Sequence, residues 1–304
     1  MHTATNEWSV AEVVLLRQMV QGGKDSQVIC EEFNKAGIPR SQKAIYRKLQ
    51  AERDKDPGQW RVRVADSPFP ALPSPVTIEG DCLVLADLHS PFHDAHWVNR
   101  VTDLALKWGV CKAGVCGDAV DFSAFSHFGR QHYLEAEMEL DAVKQVLDSL
   151  ANGFDEVVYA PGNHEMRFAR WVAYALDAQA LIQHWVNNEK VTTTRFHWFR
   201  VVSGGEVYQV EHPRNTSTHA SVIPAKLCAK FGCHVIAGHG HTWGMTRDDS
   251  GRYWAIDSGI CADPRRLEFG QIEHNTRPVQ MQGAVIIKGG VPILLCPENI
   301  GLYG

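Results

Sequence analysis

Residues Cys82-Leu83-Val84-Leu85-Ala86 are apolar without interruption and stop abruptly at Asp87-Leu88-His89. A strand with one wet face alternates apolar and polar side chains, whereas an unbroken run is expected where both faces are covered, as inside a mainly parallel sheet. The following segment carries Trp97, Val98, Val101, Leu104, Ala105 and Trp108 at helical spacing, and Ala113-Gly114-Val115-Cys116 reads as a second short strand. A longer helix is predicted over about residues 134 to 151, with Leu140, Val143, Leu147 and Leu150 inward and Asn152-Gly153 at its end. Val157-Val158-Tyr159-Ala160 is the next strand, and others are predicted near 207–211, 233–237, 242–247, 252–257 and 283–295, with Asp249-Ser250-Gly251 and Gly289-Gly290 as turns. The whole reads as an α/β core passing into a more antiparallel half.

This core does not extend over the whole chain. Residues 56 to 78 include Pro57, Pro68, Pro70, Pro73 and Pro75 with little apolar periodicity, so they are expected to form a semi-extended linker between residues 1–55 and 79–304. The first module reads as three helices. Ser9 opens the first with capping-box spacing to Glu12, and Val13, Leu16 and Val20 share its inner face up to Gly22-Gly23. A second helix starts at Asp25, is expected to bury Val28, Ile29 and Phe33, and stops at Gly37. The third has Ser41 as N-cap and Ile45 and Leu49 inward. Lys35, Arg40, Lys43, Arg47 and Lys48 lie between residues 35 and 48 with no acidic residue among them, which makes the last helix a candidate recognition helix for nucleic acid through Arg40, Lys43, Arg47 and Lys48. With Trp8 ahead of the first helix and the Arg-Ser-x-x-Ala-Ile-x-x-Lys-Leu pattern over residues 40–49, about 45 residues resemble the Myb-like and other helix-turn-helix DNA-binding families. The competing reading is a helical docking module with a solvated basic face.

Composition narrows the function classes. At 304 residues, with 44% hydrophobic and 21% charged, the chain is of ordinary globular composition and long enough for two domains. It contains no apolar run of about 18 residues and no signal-peptide pattern at Met1-His2-Thr3-Ala4-Thr5-Asn6-Glu7, so a cytoplasmic protein without membrane contact is expected. The eight cysteines form no CxxC pair and read as buried thiols. A formal net charge of −5 argues against polyanion binding by the whole surface, but the first module holds nine Lys/Arg against seven Asp/Glu, so the excess acid belongs to the rest. Histidine stands out: 15 residues, about twice a common frequency, as a metal site requires.

Five motifs fall just after predicted strands: Asp87-Leu88-His89, Gly117-Asp118-Ala119-Val120-Asp121, Gly162-Asn163-His164-Glu165, His212, and Gly238-His239-Gly240-His241. In open α/β sheets ligands bind beyond the carboxyl ends of strands, so residues distant in sequence would converge at one edge. In DxH and HxH two donors one residue apart would point the same way on an extended chain, and the glycines before Asp118, Asn163 and His239 are expected to let the backbone turn sharply. Carboxylate, imidazole and amide donors without thiolate suit Mn²⁺, Fe or Zn²⁺. Seven donors are too many for one tetrahedral ion and fit two metals about 3.5–4 Å apart, sharing a carboxylate and a water or hydroxide.

The ordered set resembles the calcineurin-like metallophosphoesterase superfamily over about residues 79 to 260. Leu83 through Asp94, Gly117-Asp118 through Phe122, and Gly162 through Arg167 are similar to the branch carried by bacteriophages and prophages. The resemblance implies a four-layer sandwich of two mixed sheets flanked by helices, with the site at its top. It implies one metal held by Asp87, His89 and His241, another by Asn163, His212 and His239, and Asp118 bridging. His164 would stay off the metals near the leaving group, with Asp121 orienting and charging its imidazole. The chemistry that follows is single-step phosphoester hydrolysis by hydroxide, with His164 as general acid and no phosphoenzyme. Arg167 and Arg214 are candidate phosphate contacts. Phe122 stands where the protein phosphatases of the superfamily place Arg, which weakens a phosphoprotein substrate; Phe122, Phe125, His127 and Phe128 could instead form a wall for a flat group. Glu211 is expected to be solvated, and Trp171, Trp185 and Trp198 to pack between layers.

Three functions are carried forward. The first is a phosphodiesterase acting on nucleic acid, DNA in particular, with the helical module supplying affinity. The second is a phosphatase or phosphodiesterase for small or cyclic nucleotides, with the module as a docking unit. The third is a DNA-binding protein whose metal site is not catalytic.

Overall fold

The structure is a computed structural model that describes residues 7–61, 72–126, 134–267 and 279–303. Its chain divides into two compact units, Met1–Leu72 and Pro73–Gly304.

In the first unit three helices follow directly from their caps. Helix α1 (Val10–Gln21) begins at Ser9, whose hydroxyl and backbone exchange hydrogen bonds with Glu12 in a capping box. Helix α2 (Ser26–Lys35) is capped by Asp25, and α3 (Gln42–Lys55) by Ser41. Leu16, Val20, Ile29, Phe33, Ile45 and Leu49 form the core, joined by Trp60, which the sequence reading left in the linker. Trp60 is 1% exposed because a core this small gains from every large ring it can enclose. Val28, expected inside, is exposed.

The second unit is built of β1 (Thr77–Glu79), β2 (Cys82–Ala86), α4 (Ala95–Lys107), β3 (Lys112–Cys116), α5 (Ala136–Gly153), β4 (Glu156–Ala160), α6 (Glu165–Trp171), α7 (Ala178–Val186), β5 (Val191–Thr193), β6 (Trp198–Ser203), β7 (Glu206–Glu211), α8 (Val222–Phe231), β8 (His234–Ala237), β9 (Trp243–Arg247), β10 (Trp254–Ser258), β11 (Ala284–Lys288) and β12 (Val291–Leu295). Two six-stranded sheets run in the orders β1-β6-β7-β8-β10-β9 and β12-β11-β2-β3-β4-β5. Both are mixed: β2 to β5 are parallel, with β11 and β12 antiparallel beside them, while in the other sheet β7, β8 and β10 are parallel. The later strands are the more antiparallel ones, as expected, since β6 pairs with β7, β9 with β10, and β11 with β12 and β2 in antiparallel fashion.

The unbroken run in β2 is accounted for by its two faces. Leu83 and Leu85 join Val101, Leu104, Val143 and Leu147 under helices α4 and α5, while Cys82, Val84 and Ala86 meet Phe199, Val201, Tyr208, Val210, Ile236 and Ile256 between the sheets. Sheet-on-sheet packing is close enough that a Cβ on Gly114 would fall 2.3 Å from the Phe199 ring. On the far side α8 covers Val235 and Ala255 through Cys228, which completes four layers. Among the described residues no helix is long and apolar enough to cross a membrane.

This architecture places the motifs. Ala86, Cys116 and Ala160 are register neighbours at the carboxyl ends of β2, β3 and β4, and Glu211 and Ala237 are neighbours at the ends of β7 and β8. Asp87, Gly117-Asp118, Gly162-Asn163, His212 and Gly238-His239 all leave the sandwich at that one edge.

Candidate metal centre

The chain leaves these strands in a strained conformation rather than an extended one. Asp87, His89, Asp118, His239 and His241 all have positive φ, between 46° and 71°. Non-glycine residues seldom adopt that region, and five together mark a site that the surrounding core over-determines. The donors of Asp-x-His and His-x-His therefore converge by a left-handed kink on each, with Leu88 driven into the core between them. Nor do all the preceding glycines serve to turn the chain. Gly162 and Gly238 are needed for room, since a Cβ would lie 2.2 Å from Asp118 Oδ1 and 2.8 Å from Asp87 Oδ2 respectively.

Three overlapping groups of donors result: one of Asp87, His89 and His241, a second of Asp118, His212 and His239, and between them a third of His89, Asp118 and His164. In the first, His89 Nε2 and His241 Nε2 lie 3.3 Å apart, and Asp87 Oδ1 is 3.2 Å from the latter. In the second, His212 Nε2 lies 3.1 Å from Asn163 Oδ1 and 3.2 Å from Asp118 Oδ2, with His239 alongside. Partners behind the rings set their orientation: His89 Nδ1 is 2.9 Å from Asp121 Oδ1, and His212 Nδ1 is 3.2 Å from the Cys116 carbonyl. Each ring uses Nδ1 outward and leaves Nε2 aimed into the cluster, the arrangement that orients a histidine toward a metal. Asp118 Oδ1 accepts the His164 backbone N–H at 2.7 Å, whereas Oδ2, fully buried, accepts no hydrogen bond. A buried carboxylate oxygen that accepts no well-directed hydrogen bond and has His212 Nε2 as a charge partner at 3.2 Å is what a shared cation ligand looks like, and the residues present fit a pair of divalent ions.

The electrostatics agree. Burial opposes ionisation of Asp118, but His212 and His164 outweigh it and hold the carboxyl well below the usual range. Burial likewise disfavours a charged His212, yet Asp118 pushes its imidazole up to about 10. The carboxylates draw positive charge into the cluster. His239 goes the other way, down to about 4, through burial and then repulsion from His212, and so offers a neutral ring.

His164 stands at the start of α6 beside the donors. Its Nδ1 is 2.8 Å from the Asp121 carbonyl and 3.1 Å from Asp121 Oδ1. Asp121 thus braces two rings, since the same carboxylate oxygen also holds His89. Burial would lower the His164 pKa, but Asp118 and then Asp121 raise it above the ordinary histidine value. Arg167 Nη2 lies 2.7 Å from His164 Nε2, and Nη1 donates to the Asp121 carbonyl at 3.0 Å. A guanidinium only donates, so this contact needs His164 Nε2 unprotonated. An imidazolium at His164 therefore requires Arg167 to move off, which frees the guanidinium for a phosphate oxygen.

Other expected contacts fare differently. Arg214 is exposed two residues past His212, and its charge, after burial and His212, contributes to lowering the pKa of His197. Phe122 is fully buried, stacked on Phe168 at 5.8 Å, and cannot meet a substrate. Burying the ring beneath α6 fills the space that a wall residue would have left empty. His127 and Phe128 lie outside the described residues. Trp171 is exposed rather than packed between layers, while Trp185 packs partly on the core under the helices. Glu211 is half-buried and accepts from Gln209 Nε2, and burial raises its carboxyl pKa. In the helical unit, Arg40 is occupied internally: it lies 2.7 Å from Glu12 and over the Trp8 ring. Lys48 is paired with Glu52 at 2.8 Å. Lys43 and Arg47 are exposed.

One functional residue escaped the sequence reading. Glu165, fully buried, accepts from the backbone N–H groups of Asp118 (3.2 Å), Val120 (3.1 Å) and Gly162 (2.6 Å), and so ties the β3 loop to the β4 loop. Its place directly after His164 in the third motif was the available signal. Burial and Asp118 raise its pKa. Glu165→Ala leaves three buried donors without an acceptor and is expected to lower unfolding free energy by about 3 kcal/mol or more, at about 1–3 kcal/mol per orphaned group. Urea denaturation measures this, and Glu165→Gln, which keeps an acceptor oxygen, should lose less.

No family model matches the sequence, and none of the curated proteins compared with it matches. Among solved structures, 44 chains match. YfcE, a phosphoesterase from E. coli, aligns over 74% of this chain and 95% of its own at 13% identity, with a TM-score of 0.41. Vps29 from Entamoeba histolytica aligns over 71% and 97% at 11% identity (TM-score 0.38), and vacuolar protein sorting 29 from Cryptosporidium parvum over 71% and 95% at 11% identity (TM-score 0.37). The functional reading of this chain therefore rests on its own residues.

Proposed function

We propose that the chain is a metal-dependent phosphodiesterase that acts on DNA in the cytoplasm, with manganese as its metal. The observation that carries this reading is the cluster of donors that meets at the buried Asp118 carboxylate, with His164 and Arg167 at its rim. When bound there, divalent ions supply Lewis-acid neutralisation of phosphate oxygens and acidify water. The protein does the rest. Arg167 swings from His164 Nε2 to a non-bridging oxygen and orients the ester. His164, braced by Asp121, delivers a proton from Nε2 to the departing alkoxide, which otherwise leaves poorly. His212 stays fixed by Asp118 and the Cys116 carbonyl, with Asn163 against its Nε2, so the donors need no rearrangement as charge develops.

The DNA part of the proposal draws on α3. Lys43, Tyr46, Arg47 and Gln50 are exposed at i, i+3, i+4 and i+7, so they share one helix face opposite Ile45 and Leu49. A basic, aromatic-containing face of that kind suits a phosphate-tracking or groove-entering helix. Arg40 and Lys48 support the fold of the unit instead.

The test is cleavage of end-labelled single- and double-stranded DNA beside bis-p-nitrophenyl phosphate, with Mn²⁺. Metal-dependent cutting of DNA is expected. The double variant Lys43→Glu/Arg47→Glu should weaken DNA binding and reduce the slope of log affinity against log salt by about 2, at about 0.9 per phosphate contact, with small-diester hydrolysis unchanged. Hydrolysis of the small diester without any cutting of DNA would reject the substrate assignment.

A further inference from the structure

Of the tryptophans, Trp171 is the exposed one, at 69%, although tryptophan usually buries most of its surface. It is the last residue of α6, the helix that carries Arg167, and His164 is the cap of that helix. Arg167 and Trp171 are four residues apart and so share a helix face. His164 lies seven residues, two turns, before Trp171, which sets the ring about 10 Å further along the axis at about 1.5 Å per residue.

The ring is also supported. Phe125 lies 5.2 Å from it, Phe125 meets Phe168 edge-on at 5.4 Å, and Phe168 stacks on the buried Phe122. Glu139 on α5 pins the turn that carries Phe125 by accepting from Ser123 N at 2.9 Å and from its hydroxyl at 2.5 Å. An aromatic chain thus runs from the residue after Asp121 outward to a single exposed ring, held on the two segments that also hold His164. A ring fixed in advance loses little conformational freedom when a flat partner stacks on it.

We infer that Trp171 is a substrate-binding residue that stacks against an unpaired base of the strand whose phosphate lies at the donor cluster. This rests on the nucleic-acid reading above. The separation of about 10 Å corresponds to about three stacked nucleotides at about 3.4 Å each, or fewer in an extended strand. The occupant is a base of a single strand, because in a duplex both faces of each interior base are already stacked. Any base serves, since stacking uses the π-face and not the hydrogen-bonding edge.

The experiment compares full-length wild type, Trp171→Ala and Trp171→Phe with Mn²⁺ on a single-stranded oligodeoxynucleotide and on an abasic strand of the same length. On the oligodeoxynucleotide, Trp171→Ala is expected to raise KM about tenfold or more and to leave kcat within about threefold, the pattern of lost binding rather than lost chemistry. Trp171→Phe should restore most of the affinity, and on the abasic strand the three proteins should share one high KM. An unchanged KM for Trp171→Ala, or an equal rise on both strands, overturns the stacking role while wild-type cleavage keeps the nuclease reading. A wild type that cuts neither strand overturns both.

Discussion

Replacing Asp118 by asparagine is expected to reduce bound metal from two ions per chain to one or fewer and to lower kcat/KM for any phosphodiester by more than about 100-fold. Substitutions behind a metal ligand cost about 10- to 100-fold in affinity or activity, and Asp118 lies at the junction of both donor groups. The change is confined to charge. Asparagine keeps an oxygen for the His164 backbone N–H, which Asp118 Oδ1 now accepts at 2.7 Å, so the loop need not move. It removes the anion whose attraction to His212 and His164 makes the site a trap for positive charge. Elemental analysis of protein purified without chelator, with a steady-state assay on the same sample, reads both effects. Retention of two ions with more than a tenth of the activity would show that Asp118 is not shared.

His164→Ala is expected to separate two classes of ester. On DNA, whose leaving group is an alkoxide, kcat should fall about 10²- to 10⁴-fold, the usual contribution of a positioned general acid. On bis-p-nitrophenyl phosphate the loss should be less than about tenfold, because p-nitrophenolate departs without a proton. Metal content should stay at the wild-type level, since the Nδ1 face of His164 is turned to Asp121 and its Nε2 to Arg167. Equal losses on both esters would mean that His164 acts on the nucleophile or holds the metals, and would reject the acid role.

The elements that were legible in the sequence are those set by near neighbours. Ser9, Asp25 and Ser41 each cap the helix they were expected to open, because a cap is decided within three residues. β2 is apolar throughout and β4 is so after Glu156, both appear where the runs predict, and the turn at Gly289-Gly290 joins β11 to β12. Strands β1 and β5 have three residues each and left no periodic signal, and α7 is only nine residues long. β6, with Trp198 and Arg200 among its apolar residues, lacked an obvious boundary, so the sheet that faces β2 was incompletely foreseen.

The same division runs through the candidate site. The donor types, their order and their place after strands could be read from the chain alone, because strand ends and residue chemistry are local properties. The left-handed φ of five donors, the bracing of both His89 and His164 by one carboxylate, and the closure of the β3 and β4 loops by Glu165 could not. Each depends on groups brought together from separate strands: His241 meets Asp87, and His212 meets Asn163, only once both sheets have stacked. Surface or interior was decided in the same way, with Arg40 drawn to Glu12 across the helical unit, Phe122 closed under α6 and Trp171 left outside. The sequence by itself determined which elements form and which chemistry they carry. Only the tertiary structure decided which atoms face one another, since burial and orientation are set by contacts between residues remote along the chain.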